Sequence, residues 1–513
     1  TNTISSTVRT YVQSTSLTST QNNISLTAAS TDSVTTLAVA TSIALGLGGA
    51  GAGATATSTV SPNVEAYAGN ASTLNAAGNI SINATSSNSA TATSYGIAGG
   101  VVGVGTTISN ATANGSVLAH LDGNVAGVNT LTVQATATDI STANSTAATG
   151  GIFAGSGSVA NATTSPVVRA YTGSGTISAR NAVVVAATLT PKANATALGV
   201  SIGALAVGVS SATARVSPTV DAHVGGNITA ASLSVTATQA LPGGAESANA
   251  RATGAVGALI GVTATSATAI NGSVGNQAGV SSYVANNSVL NITGDTTVFA
   301  NNNSRQRAEG NAAAGGLLAA GVASSNAASN TVTRAYLGSV TLTGSSLNVT
   351  ANGVDNNLAV TYAGSGGVLA GSSASGSTSN VSLTEATIGA GSTVQLSTRG
   401  AGTLGISADH VATFNAQEIT VAGGVVAGAG VNIDHGVDST VNAGVGSSVN
   451  AYARDIKIYA TNHADKRWLA ADNVKGTTGG LVSGAGAYSD TRISFNTTVT
   501  VGANAWLEVV GLP

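Results

Sequence analysis

Apolar and polar residues alternate along this chain with a period of two, in short stretches that return in the same order. Ile24-Ser25-Leu26-Thr27-Ala28, Ile80-Ser81-Ile82-Asn83-Ala84, Leu131-Thr132-Val133-Gln134-Ala135 and Leu233-Ser234-Val235-Thr236-Ala237 are copies of one apolar-x-apolar-x-Ala segment, which recurs at Leu347–Ala351, Leu404–Ala408 and Ile456–Ala460. Strict alternation with β-branched residues predicts half-buried strands. Each copy is followed by a polar Ala/Thr/Ser stretch and then by a glycine-rich apolar run such as Gly96-Ile97-Ala98-Gly99-Gly100-Val101-Val102-Gly103-Val104-Gly105. The third landmark is Val-x-Ala followed by a flat ring, at Tyr67, His120, Tyr171 and His223, with Thr333-Arg334-Ala335-Tyr336 as a variant. Pro62, Pro166 and Pro218 each stand five residues before that ring, which predicts a turn or strand start there.

Three landmarks in a fixed order identify a repeat protein. The expected fold is all-β: a single repetitive rod over residues 1–513, an elongated, β-helix-like β-solenoid of about nine repeats of roughly 50–60 residues. The units run approximately 1–69, 70–123, 124–173, 174–225, 226–286, 287–338, 339–391, 392–446 and 447–513. No amphipathic helix pattern occurs, and nine blades exceed the usual range for a propeller. With two rungs per unit at about 4.8 Å each, the rod would be about 90 Å long. The same pattern would also fit a stack of antiparallel hairpins.

Composition sharpens this picture. With 66 Gly, 3% aromatic and 7% charged residues, a conventional core of large side chains is out of reach. Stability must come from repeated backbone pairing, and the Gly-Val-Ala runs are expected to be buried, inside the solenoid or against another chain. The formal charge of −3 excludes a generally basic surface for nucleic acid. Cys and Met are both absent, so there is neither a disulfide frame nor a thiolate metal site. The longest apolar runs, 43–54 and 197–209, are too short and too broken by Gly and Ser for a membrane helix. With no Met and no signal segment at Thr1, the sequence reads as a piece of a longer, processed polypeptide.

The order of a glycine/valine run, then Val-x-Ala-Tyr-x-Gly, then Gly78-Asn79-Ile80-Ser81-Ile82-Asn83-Ala84 resembles the repeat regions of large secreted bacterial adhesins of the filamentous-haemagglutinin-like and leukotoxin-like filamentous families. The resemblance covers nearly the whole chain and carries no catalytic motif. It implies export across a Gram-negative envelope, an extracellular or cell-surface location, a β-helical rod, and a role in attachment or intercellular structure.

Candidate chemistry is sparse. The repeated ring position (Tyr67, His120, Tyr171, His223, Tyr336) reads as a ladder at a surface or edge. Asp409-His410 and Asp434-His435 are sequence neighbours, so in a strand their side chains leave on opposite faces, which disfavours a metal or acid/base pair. No Gly-x-Ser-x-Gly elbow in strand-turn-helix context, no phosphate loop ending in Gly-Lys-Ser/Thr and no calcium nonapeptide is present. Charge concentrates between Arg454 and Lys475, and within that stretch Arg467 and Trp468 form a candidate partner contact of hot-spot type.

No catalytic residue, metal or cofactor is therefore expected. The leading expectation is a non-enzymatic structural or adhesive fibre for cell attachment or biofilm scaffolding, whose main partner is itself and whose second partner is a cell-surface glycan. The alternative is an ice- or polysaccharide-binding solenoid built on Thr arrays, for which Ala90-Thr91-Ala92-Thr93 and Ala135-Thr136-Ala137-Thr138 are the best support.

Overall fold

In the computed structural model, the described residues are all of 1–513 except 274, 276, 397–401, 468–472 and 511–513. The described residues form a β-solenoid of parallel, in-register strands, and each sequence repeat makes one coil. The second coil illustrates the plan. A long strand, Ile80–Gly99, runs outward to a tight glycine turn, and a return strand, Val102–Ala113, comes back against it. After a bend, a ring strand, Ser116–Leu121, continues the return, and a short base strand, Asn124–Val128, closes the coil. Landmarks fall in columns: Ile80 pairs with Leu131, Leu131 with Val183, and Val183 with Leu233.

The observed coil count corrects the expectation of two rungs per unit. Successive equivalents lie about one whole repeat apart, and the base strands alone form a ten-stranded sheet. The reason lies inside the coil. Inward positions remain small from the apolar-x-apolar-x-Ala segment through to the glycine run, so one strand continues for 20 residues where a second turn was expected. Such a strand is about 66 Å long, whereas nine inter-coil steps add only about 43 Å of height. Each coil is thus wider than the whole stack is tall. All of the pairings are parallel, which excludes stacked antiparallel hairpins.

The interior grades from one end of the coil to the other. At the base, Ile, Leu and Val from three sides enclose a continuous aliphatic core through Leu74, Ile80, Val117 and their equivalents. Midway the inward residues become alanine, as in Ala92, Ala143, Ala195 and Ala250. Towards the turn only small alanine clusters remain, such as Ala50, Ala52 and Ala98. A flattened coil needs this taper, because the two sheets converge where the side chains between them shrink.

The recurrent Asn before the long strand (Asn23, Asn79, Asn129, Asn181) also finds its cause. Asn129 Nδ2 donates to Asn79 Oδ1 (3.0 Å) and Asn181 Nδ2 to Asn129 Oδ1 (2.8 Å), so the corner amides hydrogen-bond from coil to coil. The prolines sit at the bend between return and ring strands, where Pro62 and Pro166 still accept from Ser116 and Thr219 of the next coil.

Candidate functional site: an uncharged apolar edge and a column of stacked rings

The glycine-turn edge reverses the usual inside-out order of a protein. Along the return strand near the turn, Ala and Gly point inward while Val102, Phe153, Leu205, Ile260, Leu318, Leu369, Val426 and Val482 stand outward in one unbroken column. A second aliphatic column caps the turn itself, at Ile152, Leu259, Leu317, Val368, Val425 and Leu481. Phe153 is 50% exposed and Leu259 63% exposed. Of the burial expected for these runs, inside the solenoid or against another chain, the solenoid interior takes only half: their alternation buries the Ala/Gly half and leaves the Val/Leu/Ile half on the surface of the single chain.

Glycine is needed where the turns stack. A Cβ at Gly151, Gly367, Gly424 or Gly480 would overlap the carbonyl oxygen of the equivalent glycine one coil earlier. The backbones therefore approach as closely as side chains permit, and Gly367 donates to Gly423 O and Gly424 to Gly479 O, both at 2.9 Å. Beside the ridge lie shallow apolar grooves where side chains are missing. One, of about 440 Å³, is lined by Val200, Ile202, Ala255, Gly257, Ala313 and Gly315. Another, of about 380 Å³, lies on the return side along Ile260, Val262, Leu318, Ala320 and Leu369.

Charge avoids this edge. No Asp, Glu, Lys or Arg occurs in 252–294, 310–333 or 356–384, the stretches that cross the turn in three of the coils. Taking about six residues of depth on one face and the full height of the stack, the apolar edge offers roughly 800 Å² per face, which equals one partner's share of a standard-sized protein interface.

At the opposite end, the ring strands place Tyr67, His120, Tyr171, His223 and Tyr336 in a single column. Tyr11 and Tyr283 complete it, and neighbouring rings stack with centroids 4.6–5.2 Å apart. Tyr283 stands out only weakly in sequence. Tyr11 was missed, although Val8-Arg9-Thr10-Tyr11 carries the Val-x-x-Tyr spacing.

Carboxylates flank the rings. Asp122 Oδ2 lies 2.7 Å from His120 Nδ1, Asp221 Oδ1 lies 2.6 Å from His223 Nδ1, and Glu65 pairs with Arg9 at 2.8 Å. Burial, reinforced by the Asp122 and Glu65 charges, pushes the Tyr171 phenol up to about 12. Burial with Asp221 does the same to Tyr283. Because the ring faces are occupied by one another, the column has only edges to offer a ligand, and its evident work is to tie coils together.

Other candidates fall elsewhere. Asp409 and His410 do leave on opposite faces, as do exposed Asp434 and buried His435. His410 turns inward and meets Asp355 (Nε2 to Oδ2, 3.2 Å) and Ser439 (Nδ1 to Oγ, 3.0 Å), a Ser-His-Asp chain that sequence spacing could not reveal. All three side chains are sealed inside the coil, and Asp355 also accepts from Ser304, Thr331 and Asn380. The chain is thus a cross-link between coils without a route for substrate. Arg467 is exposed beside Asp465 at 3.8 Å, and Trp468 lies outside the described residues. Among the described residues no group of three or more His, Cys, Asp or Glu could hold a metal ion, and no helix is long and apolar enough to cross a membrane.

Fold and surfaces together define a class: a parallel β-solenoid with one coil per repeat, stapled by a ring column at its base and edged with an uncharged aliphatic ridge. Comparison with known proteins adds no narrower name, because no family model, no curated protein and no solved structure matches the chain.

Proposed function

We propose that this chain is a non-enzymatic structural module that associates with copies of itself through the glycine-turn edge, in an extracellular or cell-surface fibre serving attachment or biofilm scaffolding. The observation that carries the association is the edge: coil after coil presents the same aliphatic ridge beside a Gly/Ala groove, with no charge to solvate it. A ridge one side chain high and a groove one side chain deep, both repeating at the strand spacing, are self-complementary, and isologous pairing follows from such a surface. Contiguous apolar patches of this size on a soluble surface mark interaction sites. The extracellular adhesive setting rests on the resemblance of the repeats to filamentous adhesins, and a glycan partner rests there too.

The test is assembly of purified chain, followed by sedimentation and electron microscopy. Wild-type protein is expected to form dimers or larger assemblies, and Leu318→Glu with Val426→Glu, which place carboxylates on the ridge, to remain dispersed while keeping the β circular-dichroism signature. Dispersed compact monomers of the wild type under all conditions, or unchanged assembly of the double variant, would overturn the proposal.

A second reading keeps one specific observation. Thr85, Thr136, Thr188 and Thr238 form an outward column on the long strands, with Ser87, Thr138 and Thr190 in register beside it. This is a flat hydroxyl array of the kind an ice or crystalline-polysaccharide binder uses. It gives way to Asn301, Asn352 and Asp409 in later coils. Absence of thermal hysteresis and of polysaccharide pull-down would dismiss it.

A further inference from the structure

One cleft on the long-strand face departs from the small, neutral surface around it. Two adjacent outward columns meet there: Arg305, Asn356 and Thr413 in one, and Arg307, Leu358 and Asn415 in the other. Glu246, from the loop that interrupts the long strand of the fifth coil, forms one rim, and exposed Arg467 forms the other. The cleft has about 220 Å³ of room. Arg305, Arg307 and Arg467 bring three guanidinium groups to it; Glu309 pairs with Arg307 (3.0 Å) and Asp465 lies beside Arg467 (3.8 Å), while Glu246 is the carboxylate on its own rim.

On these two outward columns two buried groups lack partners, and both are N–H donors; the unpartnered atoms of Gln306 and Asn357 belong to the inward-facing column between them. Asn415 is 3% exposed, and its Oδ1 accepts from the Ala416 amide at 2.8 Å while its Nδ2 has no acceptor. Arg305 gives Nη1 to Gly244 O (2.7 Å), which ties the loop down, and its buried Nε is unused. An orphaned buried donor costs about 1–3 kcal/mol, so a native cleft holding two of them beside further guanidinium groups is built for an acceptor it does not itself contain. We propose that this cleft binds a small organic carboxylate, free or carried as the acid group of a uronic sugar. A carboxylate supplies two acceptor oxygens in the planar geometry that a guanidinium matches. The hydroxyl and amides of Thr413, Asn356 and Asn415 suit hydroxyl groups next to it, and Leu358 gives an aliphatic wall. A few convergent polar groups in one concavity are the usual form of a small-ligand site. The proposal stands apart from self-association, since the cleft lies outside the apolar edge.

The test titrates the full chain with galacturonate, glutarate and galactose by calorimetry or NMR. Saturable binding of the carboxylates in the millimolar range and none of galactose is expected; galacturonate tighter than glutarate identifies the sugar-borne form, and equal affinity the free acid. Because Arg305 anchors the loop, the variant is Arg307→Gln, expected to weaken binding about tenfold, as loss of one charge-assisted contact does. Arg215→Gln, on the return-strand face, is expected to bind like wild type. The proposal is overturned if neither carboxylate saturates, if galactose binds as well as galacturonate, or if Arg307→Gln leaves affinity unchanged.

Discussion

Glu418 is a carboxyl group where a carboxylate is least welcome. It lies fully inside the coil, with Oε1 accepting from Ser325 Oγ at 3.3 Å and Oε2 without a partner. Burial pushes its pKa from 4.5 up to about 8, against hydrogen bonds from Thr361 and Ser325 that pull it down. The sign follows from linkage. A group that binds its proton more tightly when folded contributes its full stability below its unfolded value, near 4.5, and loses it as pH rises towards about 8. At about 1.4 kcal/mol per pH unit, the gap between 4.5 and 8 corresponds to an upper limit of about 5 kcal/mol. Glu418→Gln removes that titration while keeping size and hydrogen-bonding capacity.

The useful window is pH 6.5–8. Asp139, raised by burial to about 6, and His435, lowered by burial from 6.5 to about 4, titrate alike in both proteins and cancel from the difference between them. Across the window the stability of Glu418→Gln relative to wild type should grow by about 2 kcal/mol, read from guanidinium denaturation at several pH values. Parallel stability curves for the two proteins would refute the reasoning, and so would a difference that shrinks as pH rises.

Two further outcomes follow from neighbouring geometry. A methyl group at position 376 would fall on the Glu418 carboxylate, so Gly376→Ala is expected to destabilise by about 2–3 kcal/mol, and most of that cost should vanish in combination with Glu418→Ala, as a double-mutant cycle will report. Tyr171→Ala breaks two ring stacks and should cost about 1–3 kcal/mol in thermal or chemical denaturation, whereas Tyr171→Phe keeps both stacks and should cost less than about 0.5 kcal/mol.

Much of the fold is legible because each landmark has one mechanical cause. The Asn one or two residues before the long strand marks a corner where amides ladder, Val-x-Ala-Tyr marks a strand with two residues in the core and a ring outside, and apolar-x-apolar-x-Ala marks the wide end of the taper. The coil count was not legible, because the Ala/Ser/Thr stretch between landmarks has the same alternation whether it bends or runs straight. Only the pairing of Ser141 with Ala193, or Thr142 with Asn194, reveals that it runs straight. The apolar edge was half legible: the glycine runs announce close approach, but period two alone does not tell which half faces out. The carboxylate cleft and the Ser439–His410–Asp355 chain left no local signal, since their members come from different coils and meet only through parallel register.

One coil per repeat has a consequence for how such a chain can change length. Since nearly every contact a coil makes along the stack is with the storey above or below it, the reach of Ser325 to Glu418 across one coil excepted, duplicating one genetic unit inserts a floor with little redesign of any other. Removing one lets its neighbours close on matching columns. The height of the building can drift over evolutionary time while its floor plan is held constant by corner, ring and glycine.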